Sequence, residues 1–172
     1  MPIQTSYGFQ NDKLLKGMKA FATDEFCFTA YSDTAIPFGV GVVYGGAVGN
    51  ENRPKIALPS ATGFLFMGVS CFTHKQTGDS NDGFGVLNTT ASAQYEIGDD
   101  ITVKKRGYVW VYSEIAVDMD DPVFLRHTVN SALVPGNFRI DADTAKADQL
   151  TNVRWACKTT AAGLAILELN IP

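Results

Sequence analysis

The chain has 172 residues, 45 % of them hydrophobic and 19 % charged, with a formal charge of −4 and a pI near 5.0. That composition supplies a sizeable core and excludes bulk disorder, and it lacks the basic excess of a nucleic-acid binder. No apolar run approaches the ~20 residues that span a bilayer, and Met1-Pro2-Ile3-Gln4 shows neither the charged nor the apolar region of a secretory signal.

The length predicts one domain with an appendage: an extended N-terminal arm over 1–20 and a single β domain over 21–172. Residues 1–20 mix small, polar and apolar types without period, and Gly17 interrupts the helix-like Lys13–Lys19 run. Tyr7 and Phe9 fall on one side of the arm if it is extended. Residues 25–31 alternate as a strand. Residues 35–44 are apolar throughout, with Pro37 restricted to a strand start or an edge, and 63–72 form the next buried strand. Residues 73–92 are the longest polar connection.

The stretch 96–112 organises the chain. Gly98-Asp99-Asp100 is a turn signal, and Ile101 and Val103 then alternate with Thr102 and Lys104. Gly107 reads as a break, and Lys104-Lys105-Arg106 as a charged hairpin tip. Beyond it, Tyr108, Trp110 and Tyr112 share one face, with Val109 and Val111 on the other. Neither face is polar, so both should be covered. An acidic turn, Asp118 to Asp121, launches a second strand at Val123–Arg126. Residues 142–150 carry some helical propensity, and 153–157 and 164–169 close the chain as strands. About nine strand signals and no long helix predict an all-β class, a compact barrel- or sandwich-like domain.

Catalytic and metal signatures are weak. The two histidines, His74 and His127, stand near no recognisable nucleophile, and Gly68-Val69-Ser70-Cys71-Phe72 fails the G-x-S-x-G elbow. Asp79 to Gly83 lacks the acids a calcium loop requires, and Asp118, Asp120, Asp121, Asp141 and Asp143 read as solvated turns ahead of metal ligands. Cys27, Cys71 and Cys157 are widely spaced without a C-x-x-C, which argues against a disulfide framework or a zinc site. Their apolar surroundings predict buried free thiols, in a protein made in a reducing cytoplasm. Two readings compete for the Lys104–Arg106 run, a solvated tip or a contact with an acidic partner. The Tyr108–Trp110–Tyr112 stripe reads as core or subunit interface, with sugar stacking as the other use.

The order of these segments resembles the phage structural cement proteins, which decorate the heads of tailed bacteriophages. The resemblance rests on Met1–Thr5 with Gly17-Met18, Ala35–Gly39, Phe66–Ser70, Ile97–Val103, Gly107–Val111, Asp121–Arg126 and the close Gly163–Pro172, in one collinear order. At the second acidic turn, Met119-Asp120-Asp121-Pro122 departs from a pattern with Gly before the Asp. The resemblance implies a non-enzymatic protein without cofactor, located on the outer capsid surface of the virion. It implies binding to the major capsid protein, often as a homotrimer, and no role with nucleic acid or membrane. Tyr7, Phe9, Lys104, Lys105, Arg106, Tyr108, Trp110 and Tyr112 are the expected capsid or subunit interface. A carbohydrate-binding β module of a virion or surface structure, and a small hydrolase using His74 or His127, are the alternatives.

Overall fold

The computed structural model describes residues 15–21, 24–46, 53–72 and 94–172. Tyr7, Phe9, His74 and the 79–83 turn lie outside the described residues. Twelve strands and no helix are found among those described: β1 Phe26–Ala30, β2 Ile36–Pro37, β3 Gly41–Tyr44, β4 Ile56–Ala57, β5 Phe66–Ser70, β6 Gln94–Tyr95, β7 Ile101–Ser113, β8 Phe124–Arg126, β9 Phe138–Arg139, β10 Ala147–Gln149, β11 Val153–Trp155 and β12 Gly163–Asn170. The class is all-β. Ten strands form one mixed sheet, in the order β10-β8-β9-β7-β5-β3-β4 with β1, β11 and β12 branching from it, and the sheet is not closed into a barrel. β2 and β6 make a separate pair.

β7 is where the sequence reading needs its main correction. Residues 101–113 are one continuous strand of 13 residues, not two strands meeting at a hairpin. Gly107 adopts φ +105°, and a Cβ there would come within 3.2 Å of the Asp24 carbonyl oxygen. Glycine therefore lets the strand bend without leaving its ladder. Both edges of β7 are paired. β1 runs along 101–106 on one edge, while β5 at 103–104 and β12 along 106–113 occupy the other.

The bend divides two cores. Ile101 and Val103 pack with Ala30, Ile36, Phe38, Val40, Val42, Ile56 and Tyr95. Val109 and Val111, both fully buried, pack with Val69, Leu125, Phe138, Trp155, Leu167 and Leu169 in the larger cluster. Strands β3 and β5 feed both clusters, Val42 going to one and Val43 and Val69 to the other. The period-two alternation read from the sequence is thus the pattern of a strand with a core on each side.

Three further expectations shift. Residues 35–44 split at Phe38-Gly39, where Gly39 has φ +67°. Pro37 sits in the short pair with β6, where its missing N–H breaks no long ladder. Residues 142–150 contain no helix, because Asp143, Thr144 and Ala145 have φ of 42°, 57° and 61° and the chain then enters β10. Cys27 is exposed on β1, while Cys71 is buried and Cys157 half-buried; all three are free thiols.

Candidate interaction face

The aromatic stripe forms on the side of β7 opposite the larger core. Directly opposed residues of an antiparallel pair share a face. Tyr108 stands against Glu168, Trp110 against Ile166 and Tyr112 against Leu164. Tyr108, Trp110 and Tyr112 are all half-buried, and residues 15–21 account for much of the cover. That segment lies as an added strand along the edge of β7 that β1 leaves open beyond Arg106. The Trp110 carbonyl accepts from Gly17 N–H at 2.7 Å, Trp110 N–H donates to the Met18 carbonyl at 2.9 Å, and Ala20 N–H donates to the Tyr108 carbonyl at 3.2 Å. Phe21 meets the Tyr108 ring edge-on at 5.1 Å, and the Lys16 ammonium lies 5.9 Å from the Tyr112 centroid. Burial of Lys16 holds its pKa below the ordinary lysine value. The end of the arm expected over 1–20 is therefore part of the sheet.

Phe21, Tyr108, Arg154, Trp155, Ala156 and Glu168 line an open depression of about 310 Å³. Arg154 Nε and Glu168 Oε2 pair across its rim at 2.5 Å. Phe21 and Lys16 thus cover part of the Tyr108 and Tyr112 rings from within the chain. Replacing Trp110 with alanine should cost about 2 kcal/mol, below the ~3–5 kcal/mol of a fully enclosed tryptophan, because its side chain is only half-buried. Urea titration checks the value, and a loss above ~3 kcal/mol would mean that the face is closed.

The basic run is dispersed by the strand. Lys104 is 2 % exposed; its ammonium donates to Glu25 Oε2 at 2.8 Å and to the Tyr108 carbonyl at 3.4 Å. Glu25 also pairs with Lys19 at 2.8 Å, and its carboxyl is held below the usual carboxylate range by Lys104 first and Lys19 second. Lys105 donates to the Pro172 carbonyl. Arg106 is exposed and lies 3.7 Å from Asp24. Lys104 is thus a structural cation under the β1 edge, and Lys105 and Arg106 are the two that remain near the surface.

Sequence reasoning missed Lys16, Phe21, Arg154 and Glu168 on this face, and it missed a buried ion cluster behind β9. There Arg126, 0 % exposed, grips Glu114 with two bonds, Nε–Oε1 at 2.6 Å and Nη2–Oε2 at 2.7 Å. Arg139 bonds Glu114 at 3.1 Å and Asp141 at 2.6 Å, and Asp143 accepts from Arg126 at 2.5 Å and from Asn130 at 3.0 Å. The Asp118 to Asp121 turn is closed by its own side chains: Asp118 N–H donates to Asp121 Oδ2 and Met119 N–H to Asp118 Oδ1. Among the described residues no group of three or more His, Cys, Asp or Glu could hold a metal. His127 is buried against Thr128 and Phe64, away from solvent.

What the described residues present is an all-β sheet with an aromatic face flanked by a strand-like arm root. The sequence matches the family model described as structural cement protein (E217 gp24/Pam3 gp6) over residues 3–170, and the chain belongs to that family. It is a capsid-stabilising protein of a phage virion and associates with capsid proteins. Its fold is similar to that of a chain in the structure described as the capsid of Myoviridae Phage XM1. The TM-score is 0.63 at 17 % identity, covering 99 % of this chain and 98 % of that one. No curated protein matches the sequence.

Proposed function

We propose that the protein acts without catalysis, is made in the host cytoplasm, and binds the major capsid protein on the outer surface of the assembled head as a symmetric homotrimer. The contact runs through the N-terminal arm and the adjoining edge of β7. One observation carries this reading: residues 15–20 are bonded to β7 beside the aromatic face, so the chain preceding Leu15 starts from a fixed point there. Ordering an arm costs about 1–2 kcal/mol per residue, which extensive burial on a partner must offset. Tyr7 and Phe9 are the apolar anchors. Lys105 and Arg106 steer the approach to acidic capsid patches, a salt-sensitive rate effect, while Lys104 holds Glu25 in place and takes no direct part. Tyr108, Trp110 and Tyr112 complete the interface between subunits or with the shell. Closed symmetry matches local axes of a shell and converts weak contacts into avidity. Cementing follows by mass action, since a ligand that binds only the assembled shell stabilises it.

The test uses protein lacking residues 1–14 beside a Lys105→Ala/Arg106→Ala variant. Both should fold. The truncated protein should bind expanded heads more weakly and protect them less from heat, and the double variant should bind more slowly at low salt. Truncated protein that binds and protects as well as the full chain would rule out the arm as anchor. Light scattering at tens of micromolar should give the mass of three chains, and a one-chain mass would count against a stable trimer.

A further inference from the structure

We propose that the depression beside Tyr108 seats a second copy of this chain, and that its occupant is the Met119-Asp120 turn of that copy. The proposal rests on the oligomer proposed above and names a contact that holds it together. Phe21 and Tyr108, whose rings meet edge-on at 5.1 Å, line the depression together with Trp155 and Ala156. Phe21 is 47 % exposed, so the seat offers an aromatic surface that its own chain leaves open. Arg154 and Glu168 stand at the rim. The Arg154 side chain is 70 % exposed against 25 % for Glu168, so the outermost charge is positive. Glu168 is bonded to Arg154 Nε, and the guanidinium fork has donors left for a second carboxylate. Such a seat selects an apolar side chain with a carboxylate beside it.

The Met119-Asp120 turn carries that pair. Met119 is 57 % exposed, and Asp120 next to it is exposed as well. The flanking acids are spent inside the turn: Asp118 accepts from Lys158 and from Met119 N–H, and Asp121 accepts from Asp118 N–H. Asp120 makes no such bond among the described residues. The frame is fixed, since Val117 N–H donates to Thr159 Oγ1 at 3.1 Å and Thr159 N–H donates to the Val117 carbonyl at 2.9 Å. A projection already ordered in the free chain loses little freedom on docking. Its thioether suits the edges of the Phe21 and Tyr108 rings, and its free carboxylate suits Arg154.

Seat and projection belong to one connection between β11 and β12. Trp155 and Ala156 line the first, while Lys158 and Thr159 hold the second. The contact joins two different patches of neighbouring copies, and a contact of that kind repeats around an axis until the ring closes.

The experiment follows the mass of the full chain by light scattering across a dilution series, for the unaltered protein, Asp120→Arg, Arg154→Glu and the double variant. Urea midpoints confirm that each is folded. Each single change should raise the concentration at which the oligomer dissociates by about tenfold or more, the effect of losing one close charge pair. The double variant exchanges the two charges and should return that concentration most of the way. Arg154→Gln, which places no negative charge beside Glu168, should weaken assembly in the same direction, and Met119→Ser should do so with every charge in place. An oligomer that dissociates at the same concentration in both single variants leaves the trimer standing and overturns this contact. So does a loss in both that the double variant fails to recover. Single variants that stay assembled and lose binding to heads assign the depression to the capsid instead. A one-chain mass for the unaltered protein removes the trimer and this contact together.

Discussion

Arg126→Met is expected to destabilise the protein by about 3–5 kcal/mol, the range for breaking a buried ion pair from one side. Arg126 is 0 % exposed and satisfies both oxygens of Glu114, itself 0 % exposed at the side chain, along with Asp143 and the Thr128 carbonyl. Without it, the Glu114 carboxylate, removed from water, keeps among the described residues only the 3.1 Å bond from Arg139. The same arginine holds a costly piece of backbone. Asp143, Thr144 and Ala145 are three successive left-handed residues without glycine, and that conformation costs roughly 1–2 kcal/mol per residue. The Asp143 carboxylate, bonded by Arg126, Asn130 and Arg139, pins the turn. Chemical denaturation should show a lower midpoint at unchanged slope. The double change Arg126→Met/Glu114→Leu should recover much of the loss, because it removes the stranded charge. A single-variant loss under 1 kcal/mol would mean that water reaches Glu114 and that the cluster is not a buried one.

The cluster also sets the acid limit. Asp143 is held down to about 2, by Asn130 first and then by Arg126, with Arg139 adding to it. Its folded pKa lies below the ~3.9 of an unfolded aspartate. The stability it supplies is therefore complete above about pH 4 and is lost as pH falls through 2. Melting temperature should stay level from neutral pH down to about 4 and then drop. In Arg126→Met the drop should be smaller, because the folded pKa of Asp143 rises towards its unfolded value and the window between them narrows; identical acid profiles would detach Asp143 from this arginine.

Local pattern carried much of the fold. The alternation in 107–113 survives, with Val109 and Val111 buried and Tyr108, Trp110 and Tyr112 half-buried between them. What local pattern could not carry was context. Gly107 is a break in isolation and a bend once β1 and β12 pair across it. Lys104 resembles a tip residue until Glu25, 79 positions earlier, covers it. The helical propensity of 142–150 loses to bonds that Asp143 makes with Arg126, 17 positions away, and with Asn130, 13 away. The interaction face was half legible: Tyr108, Trp110 and Tyr112 announce themselves by spacing, whereas Arg154 and Glu168 join them only through the β11–β12 register.

Gly17→Ala is expected to release residues 15–21 from the sheet while leaving both cores folded. Gly17 has φ +82°, and a Cβ there would come 2.6 Å from Phe72 N, 2.8 Å from the Ser70 carbonyl oxygen and 2.9 Å from Gly39 N, all of them backbone. Gly39 faces it with φ +67°, and a Cβ on Gly39 would strike Gly17 N. Two backbones touch here, and no side-chain rotation can relieve the clash. Release forfeits the bonds Gly17 N–H makes to Trp110 and its carbonyl accepts from Phe72, with those of Met18 and Ala20. At about 0.5–1.5 kcal/mol for each of the four bonds, the expected loss is roughly 2–6 kcal/mol. Trypsin should then cut after Lys16 and Lys19, and Trp110 emission should move to the red as its cover leaves. Gly39→Ala attacks the same contact from the other side, so the double variant should lose far less than the sum. A protease-resistant Gly17→Ala protein with unshifted emission would show that the strand–strand contact yields without undocking. The variant also separates two accounts of head binding. It retains residues 1–14 in full, so weakened binding would mean that the arm works from its fixed root on β7. Undiminished binding by a chain shown to be undocked would mean that the first fourteen residues grip the shell by themselves.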